Sequence, residues 1–157
     1  MGQGAATAAV YVVLTMAFRP ISFGPVQFRI SEALCVLPYF TPAAVPGVFL
    51  GCLISNLLGG AAALDVVFGS LATLMGAVGS RLFRKNRYLV SLPPIAANTQ
   101  NIPWVLKYAY GPGHLVWFKM ITVGAGEIRA DGVQGQTVLG AQEPHTAAVA
   151  KHQKADP

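Results

Sequence analysis

Apolar residues in this chain come in long runs, and this pattern restricts the fold more than any other feature of the sequence. A helix needs about 20 residues to cross the hydrocarbon core of a bilayer, and the third, fourth and fifth runs meet that length comfortably. Charged residues make up only 11% of the chain, which is too few to coat a soluble globule of this size. The runs are Ala5–Phe18, Ile30–Phe40, Pro42–Leu58, Leu64–Phe83, Tyr88–Tyr110 and Leu115–Ile128. We therefore predict an all-α integral membrane protein with about six transmembrane helices, and five is the alternative count.

The basic residues give this membrane protein a predicted orientation. The net charge is +5, and the densest basic cluster lies between Arg81 and Arg87, where two apolar runs meet. Such clusters mark cytoplasmic loops, so six spans place both termini in the cytoplasm. A nucleic-acid binder would instead gather its basic residues on one face. Arg19 and Arg29 fall in a predicted outer loop, against the rule, so they have another purpose or the span count is wrong.

Nothing in the sequence indicates catalysis. There is no G-x-x-x-x-G-K-[ST] motif, so the chain carries no P-loop for ATP hydrolysis. His114, His145 and His152 show no metal-binding spacing with a cysteine or a carboxylate, and no nucleophile motif is present. Cys35 and Cys52 lie inside apolar runs, as buried free thiols do. We predict a protein that is not an enzyme and has no metal and no cofactor.

Ionisable residues inside or beside the apolar runs are the candidate ligand-binding residues. Arg29, Glu32, Asp65 and Glu127 have this placement. A charge left unpaired in hydrocarbon is costly, so such residues face a cavity and mark the path of a ligand or an ion. The alternative is a structural ion pair, for example between Arg29 and Glu32, which would share one helical face three residues apart.

Amide and aromatic side chains extend this set of candidates. Gln27 and Asn56 are predicted at a similar depth in the membrane. The fifth run contains three prolines and a polar stretch that includes Asn98, and so polar a segment is buried in protein or lines a wet cavity. Trp104 offers an aromatic face, although anchoring at the membrane interface explains it equally well.

Small residues repeat every four positions and predict close helix packing. On the third run they are Gly47, Gly51, Ser55 and Gly59. Such stripes let helix backbones approach each other in lipid, and internal packing is the favoured interpretation there. Ala5 and Ala9 form a similar stripe on the first helix. There, contact with a partner subunit and internal packing are interpretations of equal weight.

Several stretches together resemble one transporter family. They are Phe23–Leu34, Val36–Gly47, Gly51–Asn56, Leu64–Leu74, Ser91–Pro94 and Gly124–Ile128. Across residues 5–128 the chain is similar to the QueT family, the S components of energy-coupling-factor (ECF) transporters that import queuosine precursors. The resemblance implies a six-helix subunit of the bacterial plasma membrane that binds a 7-deazaguanine base from outside. The candidates identified above by their chemistry and placement are then its predicted substrate-binding residues: Gln27, Arg29, Glu32, Asn56, Asp65, Asn98, Trp104 and Glu127.

The resemblance also implies partners. S components work with a coupling membrane protein and two ABC-type ATPases, which agrees with the missing P-loop. An A-x-x-x-A pattern on the first helix is the coupling contact in several such families, and Ala5 and Ala9 match it. The alternatives are an S component for another vitamin-like molecule, and a membrane scaffold or defunct copy that transports nothing.

The chain departs from the family pattern after Ile128. Family members continue with an apolar helix, whereas this sequence continues with Arg129, Asp131 and a polar tail. We therefore predict a multi-pass membrane substrate-binding domain over residues 1–128. Residues 129–157 are predicted to form a polar C-terminal segment that is divergent or disordered.

Overall fold

The computed structural model describes residues 2–23, 29–110, 116–142 and 144, and its regular structure there is entirely helical. The all-α class is therefore confirmed. The α-helices are α1 (Gly2–Ala17), α2 (Arg19–Ser22), α3 (Ala44–Gly59), α4 (Ser70–Leu82), α5 (Leu92–Tyr110) and α6 (Val116–Glu127). A 3-10 helix spans Ile30–Tyr39, and π-helical segments span Asp65–Gly69 and Ile128–Gln134.

The helices follow the predicted apolar runs, with a long helix in each of the third, fourth and fifth runs. Within the described ranges, however, none of the helices reaches both the length and the hydropathy required to cross a bilayer. The count of six spans remains a prediction.

Close packing of glycines holds α3 against α1, and this confirms internal packing for the α3 stripe. A Cβ atom at Gly47 would lie 2.7 Å from the carbonyl oxygen of Gly4, and one at Gly51 would lie 2.7 Å from the Cβ of Tyr11. Any larger side chain would force the two helices apart. Gly76 of α4 packs in the same way, since its Cβ would lie 2.7 Å from the Cα of Pro94 in α5.

The 3-10 helix runs through the middle of the molecule. It packs against α1, α3, α4 and the π-helical segment Ile128–Gln134. Every residue from Ser31 to Val36 is buried, Glu32 among them. Runs of 3-10 helix longer than three or four residues are uncommon, so this segment depends on the helices around it.

The turn between α3 and α4 brings an acidic residue inside. Helix α3 ends at Gly59, and Gly60 has the left-handed φ of 71° that favours glycine at a helix end. The chain then enters the π-helical segment, in which Asp65 is fully buried. Such wide turns are frequent at functional sites.

Helical backbone crosses residue 128 without a break and continues through residues 135–142. Leu139 is fully buried with Val36 and Val90. The amide nitrogen of Gln136 donates to the carbonyl oxygen of Arg87 at 2.9 Å. Gln136 and Leu139 therefore pack on the protein, and the division of the chain at residue 128 remains a prediction.

Candidate functional site

Six of the predicted substrate-binding residues lie together in the interior, and we call them the polar cluster. None of them is more than 6% exposed. The cluster consists of Arg29, Glu32, Asn56, Asp65, Asn98 and Glu127. Buried charges are rare unless they are paired, so their convergence from distant parts of the chain makes the polar cluster the candidate site.

Glu32 lies at the centre of the polar cluster and accepts hydrogen bonds from three helices and its own segment. The Tyr11 hydroxyl of α1 donates to Oε1, and the Thr73 hydroxyl of α4 lies 3.5 Å from the same oxygen. The Cys35 thiol donates to Oε2 at 3.1 Å, and Asn98 Nδ2 of α5 donates to Oε2 at 3.4 Å. This carboxylate is therefore fixed in position before any ligand binds.

A single amide joins two carboxylates of the cluster. Asn98 Nδ2 donates to Oε2 of Glu127 at 3.2 Å as well as to Glu32. An amide group has two N–H donors, so it can serve both oxygens at once. Two carboxylates this close repel each other when both are ionised, which favours a cation or a donor-rich ligand between them.

Arg29 forms its ion pair with Asp65 and not with Glu32. The distance between Arg29 Nη2 and Asp65 Oδ2 is 3.6 Å. The same guanidinium lies 5.6 Å from the centre of the Phe23 ring, and its Nη1 lies 3.7 Å from the sulfur of Cys52. The predicted alternative, a local Arg29–Glu32 pair, is therefore wrong. The guanidinium ties the 3-10 helix to α3 and to the turn that precedes α4.

The polar cluster has unbalanced charge and unused hydrogen-bonding capacity. One guanidinium faces three carboxylates, those of Glu32, Asp65 and Glu127, so the formal charge is −2 when all four groups are ionised. In the part of the chain that the structure describes, Asn56 Oδ1 and Arg29 Nε have no hydrogen-bond partner. Buried polar atoms in native proteins nearly always have one. These unused atoms are one acceptor and one donor, the groups that a small polar ligand with both donors and an acceptor would need.

The two remaining predicted substrate-binding residues are not part of the cluster. Gln27 lies outside the described residues. Trp104 is half exposed and lines a separate, mainly apolar cavity of about 420 Å³ with Leu64, Phe68, Asn101 and Tyr108. The structure does not bring Trp104 to the charged groups.

Sequence reasoning missed the hydroxyl groups of the site. Thr7, Tyr11 and Thr15 repeat every four residues along α1, and all three are buried. Tyr11 contacts Glu32, and the Thr15 hydroxyl lies 2.7 Å from that of Ser31. This spacing marks one polar face of an otherwise apolar helix and would have identified Tyr11.

Comparisons with known proteins identify the family of the chain. A model of the QueT transporter family matches residues 1–143. A protein of Lactococcus lactis subsp. cremoris (strain MG1363), described as "Queuosine precursor transporter QueT", is 44% identical over 73 residues. That alignment covers 45% of this chain and 43% of the relative, which is less than half of each. No solved structure gives a significant match.

The family match also corrects one expectation. It extends past residue 128, where we expected the resemblance to end, to residue 143. In the structure Leu139 is fully buried and Gln136 is hydrogen-bonded, so the segment packs on the protein despite its polar composition. Because the match covers nearly the whole chain, this protein belongs to the QueT transporter family.

Proposed function

We propose that this chain is the membrane-embedded substrate-binding subunit of an importer for a queuosine precursor, a 7-deazaguanine base. In this proposal it is the S component of an ECF transporter, and separate ATPase chains supply the energy. The observation that carries the proposal is the buried polar cluster around Glu32. The family match supports transport, and the name of the relative from L. lactis supports the substrate class.

The distribution of side chains supports a membrane location. Large apolar residues face outward on several helices: Val13, Leu57, Met75, Leu82 and Ile121 are between 61% and 74% exposed. Charged residues of the polar cluster lie inside. This arrangement is unfavourable in water and favourable in lipid, where apolar surface meets hydrocarbon and charges must be shielded by protein.

The cluster matches the hydrogen-bonding groups of a 7-deazaguanine base. The base presents a ring N–H and an amino group side by side, and the Glu32 carboxylate can accept from both. Arg29, or Gln27, can donate to the adjacent carbonyl oxygen, and Asn56 offers one further donor and one acceptor. Asp65 or Glu127 can balance the aminomethyl cation of a 7-aminomethyl derivative, which suits the excess of carboxylates in the cluster.

Ligand-induced stabilisation of the purified protein tests the proposed function. A ligand that binds only the folded state at a hundred times its Kd adds about 2.7 kcal/mol to stability. We expect 7-deazaguanine and its 7-aminomethyl derivative to raise the Tm in detergent, and adenine, which lacks the carbonyl oxygen, to leave it unchanged. Stabilisation by an unrelated vitamin would favour the alternative S component. A Tm that no ligand changes would favour a scaffold or a defunct copy.

A bulky side chain at Ala9 is expected to block assembly with the coupling membrane protein. Ala5, Ala9 and Val13 lie on the exposed face of α1, opposite the buried face that carries Thr7 and Tyr11. Ala9→Trp should therefore leave substrate binding intact while recovery of the complex falls at least tenfold, as measured by co-purification. Ile121→Trp, on the exposed surface of α6, is the matched control. If the complex survives Ala9→Trp, this face is not the coupling surface.

The loop between α4 and α5 is expected to face the cytoplasm. Asn86 is exposed in that loop, and the two native thiols, Cys35 and Cys52, are fully buried and give little background. Asn86→Cys should resist a membrane-impermeant thiol reagent in intact cells and react with it after lysis. Labelling before lysis would reverse the predicted orientation.

A further inference from the structure

Hydrogen-bond donors converge on the sulfur of Cys52, a fully buried residue in the middle of α3. Arg29 Nη1 lies 3.7 Å from this sulfur and Asn56 Nδ2 lies 3.5 Å from it. The Thr73 hydroxyl is 3.3 Å away, but it has one proton and also faces the carbonyl oxygen of Gly69 at 3.1 Å and Glu32 Oε1 at 3.5 Å. Sulfur is a weak acceptor, so these donors have a partner but are only weakly satisfied.

The same two side chains carry unused polar atoms. Arg29 Nε and Asn56 Oδ1 have no hydrogen-bond partner among the described residues, and both side chains are more than nine-tenths buried. Leaving such groups unpaired is costly in a folded protein. Arg29 and Asn56 are therefore arranged for a group that accepts from the guanidinium and the amide and donates to the amide oxygen.

We propose that Cys52 is a positioning residue that keeps the donors of Arg29 and Asn56 available for a carbonyl oxygen of the ligand. This inference rests on the proposed function, in which the ligand is a 7-deazaguanine base. The thiol holds the two donors in place without the ligand, and they transfer to the carbonyl oxygen when it binds. A hydrogen bond from a guanidinium to oxygen is much stronger than one to sulfur, so the exchange favours binding.

Whether a substitution of Cys52 lowers or preserves ligand affinity depends on how strong a hydrogen-bond acceptor it leaves at position 52. In Cys52→Ser the hydroxyl proton would bond to the carbonyl four residues earlier, as Ser55 does to Gly51 at 2.7 Å. Its oxygen would then accept from Arg29 and Asn56 and compete with the ligand. In Cys52→Ala and Cys52→Val no acceptor remains, so both donors are unpaired until the ligand binds.

Titration calorimetry with 7-aminomethyl-7-deazaguanine, together with the Tm of the ligand-free protein, tests this inference. We expect Cys52→Ser to weaken binding by about threefold to tenfold while raising the ligand-free Tm. We expect Cys52→Ala and Cys52→Val to bind at least as tightly as the wild type while lowering the ligand-free Tm. The Val variant fills most of the space of the thiol and so separates loss of the acceptor from loss of volume.

A purely structural role for Cys52 gives a different result, because damage to packing weakens binding in every variant. The inference is overturned if Cys52→Ser binds as tightly as the wild type, or if the Val and Ala variants lose as much affinity as the Ser variant. A wild-type protein that binds no 7-deazaguanine base would contradict the proposed function itself. In that case the ligand-free Tm values would still test whether the Cys52 thiol is a weak acceptor. We expect the Ser variant to have the highest Tm, followed by the wild type, with the Val and Ala variants lowest.

Discussion

Replacing Arg29 with methionine is expected to destabilise the protein by about 3–5 kcal/mol, the range found when one partner of a buried ion pair is removed. Arg29 is the one positive charge in the polar cluster, and its guanidinium lies 3.6 Å from the carboxylate of Asp65. Methionine fills similar space but removes the guanidinium that offsets the repulsion among the carboxylates of Glu32, Asp65 and Glu127. The increased repulsion then opposes folding. The Tm in detergent should fall by roughly 10 °C.

A second variant separates loss of charge balance from loss of packing. Arg29→Met combined with Asp65→Asn removes both charges of the pair, so no uncompensated charge is added and a large part of the stability should return. Arg19→Met is the matched control, because Arg19 is exposed and its hydrogen bond to the Gly59 carbonyl is 3.3 Å long. An Arg29→Met protein as stable as the Arg19→Met protein would contradict the ion pair.

The membership of the polar cluster could be predicted from the sequence, whereas its internal pairing could not. A charge in an apolar run must find shelter, so Arg29, Glu32, Asp65 and Glu127 were expected to converge, and they do. The Arg29–Glu32 alternative assumed that both residues lie on one regular helix. Arg29 instead precedes the 3-10 helix, with an extended backbone of φ −112° and ψ 104°. The two residues therefore do not lie one helical turn apart on a shared face, and the Arg29 guanidinium pairs with Asp65 instead.

Helix rotation explains the position of Trp104. Trp104 follows Asn98 by six residues on α5, which turns its side chain by about 240° around the helix axis at 100° per residue. The two side chains cannot share one face. Asn98 points into the polar cluster, and Trp104 lines the apolar cavity beside it. Apolarity and aromatic character alone did not indicate which face of α5 would be inside.

Substitution of Glu32, which we propose binds the donor edge of the base, is also expected to have a large effect. Both oxygens of this carboxylate are held in place, Oε1 by Tyr11 and Oε2 by Cys35 and Asn98. The two oxygens offer about four lone-pair sites and already face four donors, so the base would have to replace the longer contacts, those of Thr73 at 3.5 Å and Asn98 at 3.4 Å. Glu32→Gln replaces one oxygen by an NH₂ group, which would face a donor of the base and leave buried donors unpaired at a cost of about 1–3 kcal/mol.

We therefore expect Glu32→Gln to weaken binding of 7-deazaguanine at least tenfold, measured by titration calorimetry. The 7-aminomethyl derivative should lose a similar factor, since it shares the edge that Glu32 recognises. The Tm without ligand should change little, because the substitution removes one of three carboxylates that repel one another. Tyr11→Phe is the matched comparison: it removes one donor to Glu32 but keeps both acceptor oxygens, so its loss of affinity should be smaller. Equal affinities of the wild type and Glu32→Gln would restrict Glu32 to holding Tyr11 and Asn98 in place.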